Sequence, residues 1–411
     1  MKKDLTELIY GAALRTAGRT KEQHFRRWAE AFNRDLAEKI VCGWDEKDRR
    51  EQYRLAVLPY WKRYGRRPKS FWFELAGSRD HDMDPRYIPS DLYYLELLPY
   101  LNNFNFARAT EDKNYLDLRF PDVKQAKTVC RRMAGEYYDG SMELIRRDDA
   151  VRLCREHPGT LFIKPSVYAG FGRGIRKFDP AVCTEKTIRD LFEETGVNFI
   201  VQEKIRQHAS LAALNPDSVS TVRILSLFLD GKVSVTNMFL RVGVPGTDHV
   251  TVGSEYNAEI LPDGHVSPKV CLDEGRWLDS RSERVIAEDF VLPGAESLRA
   301  LVQRIHPRVG QFKWIGWDLT VDEDGDPLLI EINTCPGDSA QRVCGRPLFG
   351  ELTDRVLEDY FFHRTLEKNQ RKGSFRANED IRLLLEQGVG FADGLAACRH
   401  VLDHEHAASI E

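Results

Sequence analysis

Two stretches decide how this chain folds: Trp314-Ile315-Gly316-Trp317-Asp318-Leu319-Thr320-Val321 and Leu328-Leu329-Ile330-Glu331-Ile332-Asn333-Thr334-Cys335-Pro336-Gly337. Between them lies the acidic turn Asp322-Glu323-Asp324-Gly325-Asp326. Aromatic and β-branched runs flanking a turn segment predict the two strands of a hairpin. Side chains two apart on a strand share a face, so Glu331 and Asn333 point the same way. Asp318 on the first strand can join them. Two carboxylates and one amide oxygen form the hard-oxygen set that Mg²⁺ prefers, which points to a nucleotide-phosphate site.

Thr320, Asp322, Asp324, Gly325 and Glu331 also fall at positions 1, 3, 5, 6 and 12 of an EF-hand loop, and only the first position is wrong. An EF-hand needs flanking helices, whereas both flanks here read as strands. Asp322 to Asp326 are therefore expected to form a solvated hairpin tip. That reading leaves Glu331 and Asn333 unexplained, because polar groups in an apolar strand are costly when buried without partners.

At 411 residues the chain is long enough for two or three lobes with a substantial core. A formal net charge of −4 with 30% charged residues gives no general case for nucleic-acid binding. The local basic run from Tyr60 to Lys69 reads as a solvated face. The N-terminus lacks the apolar stretch of a signal peptide and no segment has the length of a membrane span, so a cytoplasmic location is expected. The eight cysteines show no CxxC or Cys/His ligand spacing, so free thiols are expected, not zinc or a disulfide framework.

Residues 1–103 read as a helical region and lead-in. Phe25, Trp28, Phe32, Leu36 and Ile40 make one helical stripe that ends near Gly43, and Tyr53, Val57, Trp61 and Tyr64 make a second. These aromatics are expected to be core or lobe-contact residues and not a ligand platform. From about residue 104 helices and strands alternate. Strands are expected at Leu161–Pro165, Phe199–Glu203, Val222–Leu229, Val233–Val242 and Glu259–Leu261, with helices at Glu185–Thr195 and Ala295–His306. The body is thus expected to be α+β, divided into 104–203 and 204–350. Residues 351–411 read as a helical appendage, with helices at Leu352–Leu366, Ile381–Gln387 and Leu395–Leu402.

A nucleotide site also needs cations and backbone donors for the phosphates. Lys164 ends an apolar strand and is followed by Ser166 and then by Gly170, Gly172 and Gly174. Glycines at alternate positions free a loop of Cβ atoms, so its N–H groups can wrap an anion. The order of lysine before glycines excludes a Walker A loop, and no protein-kinase catalytic loop or DFG sequence follows.

Taken together, these residues resemble the ATP-grasp superfamily. FIKPSVYAGFGRGI at 162–175 is similar to its strand lysine and glycine loop, VQEKI at 201–205 to its adenine-binding segment, and Asp318 with Glu331 and Asn333 to its metal strands. More narrowly, YWKRYG at 60–65, DPRYIP at 84–89, EDKNYLD at 111–117, QHASLAALNPDSVSTVRILSL at 207–227 and HPRVGQFKWIGWDL at 306–319 resemble the sugar-transfer-associated ATP-grasp family. The resemblance spans roughly residues 50 to 350. It implies two α+β lobes gripping ATP, two Mg²⁺ ions on Asp318, Glu331 and Asn333, and phosphate contacts from Lys113, Lys164, Ser166 and the glycine loop. Glu203 and the backbone around Lys204 and Ile205 would meet the adenine, and His208 sits near the ribose position. Arg223 would hold the transferring phosphate or an acyl phosphate, with an ordinary strand-edge ion pair as its plainer role.

Two departures stand on the acceptor side: Ser220 where the family tends to have Asn, and Thr251-Val252-Gly253-Ser254-Glu255 where it often has an Asn-Gly-Gly-like stretch. The resemblance implies an ATP-dependent carboxylate–amine ligase acting on a sugar acid, amino acid or peptide in polysaccharide or natural-product biosynthesis. Its partners would be small-molecule carboxylates and amines. The alternative is an ATP-grasp kinase for a sugar or other small-molecule hydroxyl, with Asp248, His249 or Glu255 as the base. A nucleotide-binding scaffold without catalysis fits least, since the whole ligand set is present. Cys335 is expected to be a packing residue.

Overall fold

Two antiparallel sheets carry the fold. The computed structural model describes residues 23, 26–27, 29–40, 43–167, 174–247, 250, 255–272, 276–279, 285–287 and 289–371. The first sheet comprises β1 (Thr128–Met133), β2 (Glu136–Asp139), β3 (Leu144–Ile145), β4 (Leu161–Pro165), β5 (Arg176–Phe178) and β6 (Phe199–Glu203) in the order β3-β2-β1-β6-β4-β5. The second comprises β7 (Thr221–Leu229), β8 (Lys232–Gly243), β9 (Glu255–Ile260), β10 (Val266–Leu272), β11 (Trp277–Asp279), β12 (Trp314–Val321) and β13 (Pro327–Asn333) in the order β11-β10-β9-β8-β7-β12-β13. Every pairing between these strands is antiparallel, so the class is α+β, as expected.

Helices Arg147–Glu156 and Glu185–Thr195 cover one face of the first sheet, where Ala150, Val151, Cys154, Ile188 and Phe192 join Leu161, Ile163, Phe199 and Val201 in one core. Gly196 closes the second of these helices at φ 97°, a backbone conformation that glycine adopts without a Cβ clash. The second sheet is covered on both faces. Helix Ala295–Ile305 packs Leu298, Val302 and Ile305 against Val222, Ile224 and Trp317. On the opposite face, Trp61, Phe73, Tyr93 and Leu97 from the N-terminal region meet Leu225, Leu227 and Trp314. This double covering explains why all of β12 is buried and why its sequence is nearly continuously apolar. Each large apolar side chain buried there contributes about 1.5–3 kcal/mol.

Helix Thr353–Arg371 joins the same core. The Phe361 ring stacks on Tyr64 at 5.0 Å, and the Tyr60 and Tyr100 hydroxyls donate to Asp354 and Asp359. The first part of the C-terminal segment is thus packed against the N-terminal helices. The helices expected at 381–387 and 395–402, and Phe25 and Trp28 of the first stripe, lie outside the described residues.

Three expectations are corrected. The sheet begins earlier than read, at β1 to β3, whose strands carry Arg131, Arg132, Glu136 and Asp139 and so lack an apolar signature. Residues 107–119 are short helices, not alternating elements. The helix expected to reach His306 ends at Ile305, and Pro307 lies within the 3₁₀ turn His306–Val309 that follows. No described helix is long and apolar enough to cross a membrane.

Candidate functional site

A cavity of about 1620 Å³ is lined by residues of both sheets and of the N-terminal region, and most of the residues picked out from the sequence line it. Asp318 on β12 is the register partner of both Arg223 on β7 and Glu331 on β13. A bulge follows this position, because Leu319 pairs with Leu329 and leaves Ile330 as the extra residue. Ile330 and Glu331 consequently both reach the cavity wall. Asn333 Nδ2 donates to Asp318 Oδ2 at 3.3 Å, so the three predicted oxygen ligands do gather on one side of the hairpin. Gly316 makes room for this arrangement: a Cβ there would meet Pro336 Cβ at 2.9 Å and Arg223 Cδ at 3.4 Å.

Asp318 is 3% exposed. Burial favours its neutral form, but Arg223 and Arg241 outweigh that and hold the carboxyl at about 2. Arg223 donates through Nε and through Nη2, the latter at 2.9 Å from Oδ2. Arg241 on β8 reaches Oδ2 at 3.6 Å and pairs with Glu255 at 2.6 Å. Arg223 thus makes the strand ion pair given as its plainer role and also lines the cavity.

The two lysines arrive from different elements. Lys113 follows Asp112, whose carboxylate caps the turn at Asn114 N–H, and its own N–H donates to Ser166 O at 3.1 Å. That bond ties the EDKN segment to the chain just after β4, which carries Lys164. Lys113 Nζ lies 3.1 Å from Glu331 Oε2. Burial opposes the Lys113 charge, yet Glu331 prevails and its pKa is raised. Lys164 lines the same cavity, and among the described residues it has no carboxylate in ion-pair contact. Burial first, and the Lys113 charge second, lower it to about 8.

At the other end of this cavity Ala126, Phe162, Ile175, Gln202, Glu203 and Ile205 form a largely apolar wall. The Glu203 carboxylate is engaged by His157 Nε2 at 3.0 Å and Lys127 at 3.3 Å. Lys204 is exposed and does not line the cavity, and its N–H is taken by Thr160 O at 3.1 Å. His208 is also absent from the lining: its ring caps the turn Ala209–Ala212, accepting from Ser210 N–H, and its own N–H pairs with Val321 O. Ser166 is fully buried, with an Oγ that has no partner among the described residues. Gly174 sits at φ 78° close to Pro165, while Gly170 and Gly172 lie outside the described residues.

The acidic tip is not fully solvated as expected. Asp322 is buried because its carboxylate accepts the turn N–H groups of Asp324 and Asp326, and Lys124 sits among Asp322, Asp324 and Asp326. The oxygens of these three acids lie close enough to one another to hold an ion, but the Lys124 ammonium already balances them. With strands on both sides, the EF-hand reading finds no helices. Cys335 is another correction: it opens onto the cavity where packing was expected. Enclosing protein and the nearby Glu111 and Asp338 push its thiol up to about 11.

Arg241 and Glu111 were not picked out from the sequence, and Glu255 was named only as a base for the kinase alternative. Arg241 and Glu255 pair across adjacent strands, and Glu111 accepts both the N–H and the hydroxyl of Thr334 at 2.7 Å just after the metal strand. Ile40, Leu36 and Trp72 from the N-terminal region also line the cavity. Trp61 and Tyr64 are core residues as expected, whereas Phe32 is 55% exposed and lines the cavity. Asp248 and His249 lie outside the described residues, and Glu255 is held by Arg241.

The residues present fit a magnesium nucleotide. Asp318, Glu331 and Asn333 offer hard oxygen donors; Asp318 Oδ2 already accepts from Arg223 and Asn333, while Oδ1 accepts from Arg223 and the Glu331 carboxylate meets Lys113. Lys164 is an enclosed ammonium in want of an anion.

Residues 188–355 match the family described as sugar-transfer associated ATP-grasp. Glu203, Arg223, Asp318, Glu331 and Asn333 fall inside this span, and Lys113 and Lys164 precede it. A D-alanine–D-alanine ligase of Glaesserella parasuis serovar 5 is 29% identical over 119 residues, which cover 26% of this chain and 39% of that protein. The chain thus spans about two fifths of the length of the curated relatives it matches. Solved structures that align include the VanG D-Ala:D-Ser ligase from Enterococcus faecalis, at 16% identity, 61% of both chains and TM-score 0.36. The D-cycloserine synthetase DcsG aligns at 16% identity over 64% of this chain and 72% of that one, with TM-score 0.37. The resemblance to the ATP-grasp superfamily, and within it to the sugar-transfer-associated family, is borne out by the family match, and the fold class agrees with it.

Proposed function

We propose that this chain, matched over residues 188–355 to the sugar-transfer associated ATP-grasp family, is an ATP-dependent carboxylate–amine ligase that forms an amide through an acyl phosphate. Its substrate would be a sugar acid, amino acid or peptide in polysaccharide or natural-product biosynthesis. On this reading residues 104–203 and 204–350 are the gripping lobes, and 1–103 and 351–411 are helical additions. The observation that carries the reading is the convergence of Asp318, Glu331, Asn333, Lys113 and Lys164 on one cavity whose far wall is apolar.

Two Mg²⁺ ions held by Asp318, Glu331 and Asn333 would supply charge neutralisation for the moving phosphoryl group. Lys113 and Lys164 would bind the phosphates, and Gly170, Gly172 and Gly174 would leave room for N–H donors to them. Ala126, Phe162 and Ile205 enclose the base, with Glu203 at its polar edge. A carboxylate oxygen of the substrate attacks the γ-phosphorus and the bond to ADP breaks. The acceptor amine then attacks the acyl carbon, phosphate departs, and the amine loses a proton to solvent. Arg223, through the N–H groups not used on Asp318, faces the developing oxyanion, a contribution of about 3 kcal/mol. No nucleophilic side chain is required, in keeping with the raised thiol of Cys335.

Hydroxylamine supplied with Mg-ATP and candidate carboxylates is expected to trap a hydroxamate together with ADP. ADP release with no acyl product in any case would count against the ligase. The kinase alternative needs a free base, and Glu255 is committed to Arg241; a stable phosphorylated product would favour it.

A further inference from the structure

The cavity wall also includes residues of the N-terminal region and of the segment after Asn333 that have no role toward the proposed nucleotide, a limb bounded by helices in mutual contact. Trp72, Leu75 and Ala76 of helix Ser70–Ala76 line it, and Trp277 of β11 lines it as well. Arg342, on the short helix Ala340–Cys344 nine residues after Asn333, is part of its wall. Arg342 is 7% exposed, and among the described residues it has no ion pair and its Nε has no hydrogen-bond partner. Comparably enclosed arginines are all matched: Arg131 with Asp117, Arg79 with Glu259, Arg241 with Glu255 and Arg223 with Asp318. Asp338, one turn earlier, feels the Arg342 charge without an ion-pair contact among the described residues, and its two oxygens accept from the hydroxyls of Ser90 and Tyr94. A guanidinium removed from water and left without an anion is costly, so its partner is to be sought in what fills the limb.

We infer that this limb receives an anionic acceptor and that Arg342 grips its carboxylate or phosphate oxygens, away from the reacting amine. The inference rests on the ligase reading, because it places the acceptor beyond the metal strands. Guanidinium presents paired N–H donors that match either oxyanion, and the tryptophans supply apolar faces for the body of the molecule.

The full chain, loaded with Mg²⁺ and the non-hydrolysable analogue AMPPNP, is titrated calorimetrically with glucose, glucuronate and glucose 6-phosphate, and with alanine and alaninamide. At least one anionic probe is expected to bind more tightly than its neutral counterpart, and the series shows whether carboxylate or phosphate is favoured. Arg342→Gln is expected to weaken that binding about tenfold or more, with AMPPNP affinity retained. Arg342→Lys, which keeps the charge, is expected to retain part of the preference and guards against a folding defect in the first variant. Anionic probes that all fail to bind, that bind no better than neutral ones, or that bind Arg342→Gln within twofold of the parent overturn the proposal. AMPPNP failing to bind the parent chain overturns the nucleotide reading itself, so the two failures are distinguishable.

Discussion

Arg223 and Asp318 are direct partners across β7 and β12, with Nη2 of the arginine 2.9 Å from Oδ2 of the aspartate and Nε on the other oxygen. Both side chains are largely enclosed, so removing one strands the other's charge in a desolvated place. Arg223→Ala is expected to cost about 3 kcal/mol of stability, and Arg223→Lys less, as read from urea midpoints at constant slope. A loss below about 1 kcal/mol for Arg223→Ala would mean that Arg241 alone balances the carboxylate.

Lys164 gives the site a pH dependence. Its pKa is held at about 8 by burial and by Lys113, and a phosphate favours the protonated form. Nucleotide binding should therefore take up a proton near pH 8, and affinity should fall as the pH rises through that value. Calorimetry in buffers of different ionisation enthalpy between pH 7 and 9 reads both effects. Lys164→Met should weaken AMPPNP binding and flatten the profile; an unchanged profile would place the lysine away from the phosphates.

These two residues also show where the sequence was legible. Lys164 stood out because a charged residue ended an apolar strand before a glycine-rich loop, and Asp318, Glu331 and Asn333 because polar residues interrupted apolar strands. Local periodicity is enough for such contrasts. Arg131 shows the opposite case: it is fully buried in β1, held by Asp117, Asn114 O and Gly140 O, and a charge in a strand reads as solvent-facing. Its strand was missed for that reason. Arg241 and Glu111 became site residues only through strand order and chain packing, which no local pattern encodes, and the pairing of Glu255 with Arg241 is of the same kind. The N-terminal wall of the cavity is a tertiary contact of the same kind.

His306, in the HPRVG segment, ties the site strand to its neighbours through a buried relay. Trp317 Nε1–H donates to Ser226 Oγ at 2.7 Å, the Ser226 hydroxyl donates to His306 Nδ1 at 2.7 Å, and His306 Nε2–H donates to Phe312 O at 3.0 Å. The relay requires a neutral imidazole, and burial lowers its pKa to about 4. In the unfolded chain the ring protonates near 6.5, so its contribution is complete above that pH and is lost as the pH falls toward 4. The loss amounts to about 3 kcal/mol. Thermal melts from pH 7 to 4.5 should show this slope, and His306→Asn should be less stable at pH 7 but flatter across the window.

Glu331 and Asp318 separate catalysis from stability. Both are proposed metal ligands, so Glu331→Gln and Asp318→Asn should each lower Mg-dependent ADP formation by about 10²–10³-fold. Their folding costs should differ. The Glu331 side chain is 30% exposed and among the described residues forms an ion pair with Lys113 only, so its neutralisation should cost within about 1 kcal/mol. The Asp318 side chain is 5% exposed and balances both Arg223 and Arg241, so Asp318→Asn should cost about 3 kcal/mol by leaving two enclosed guanidiniums under-compensated. Denaturant titration and an ADP-coupled assay on the same two variants read the four values. ATP turnover that survives Glu331→Gln would remove Glu331 from the metal site, and an equal stability loss in both variants would contradict the enclosure that distinguishes them.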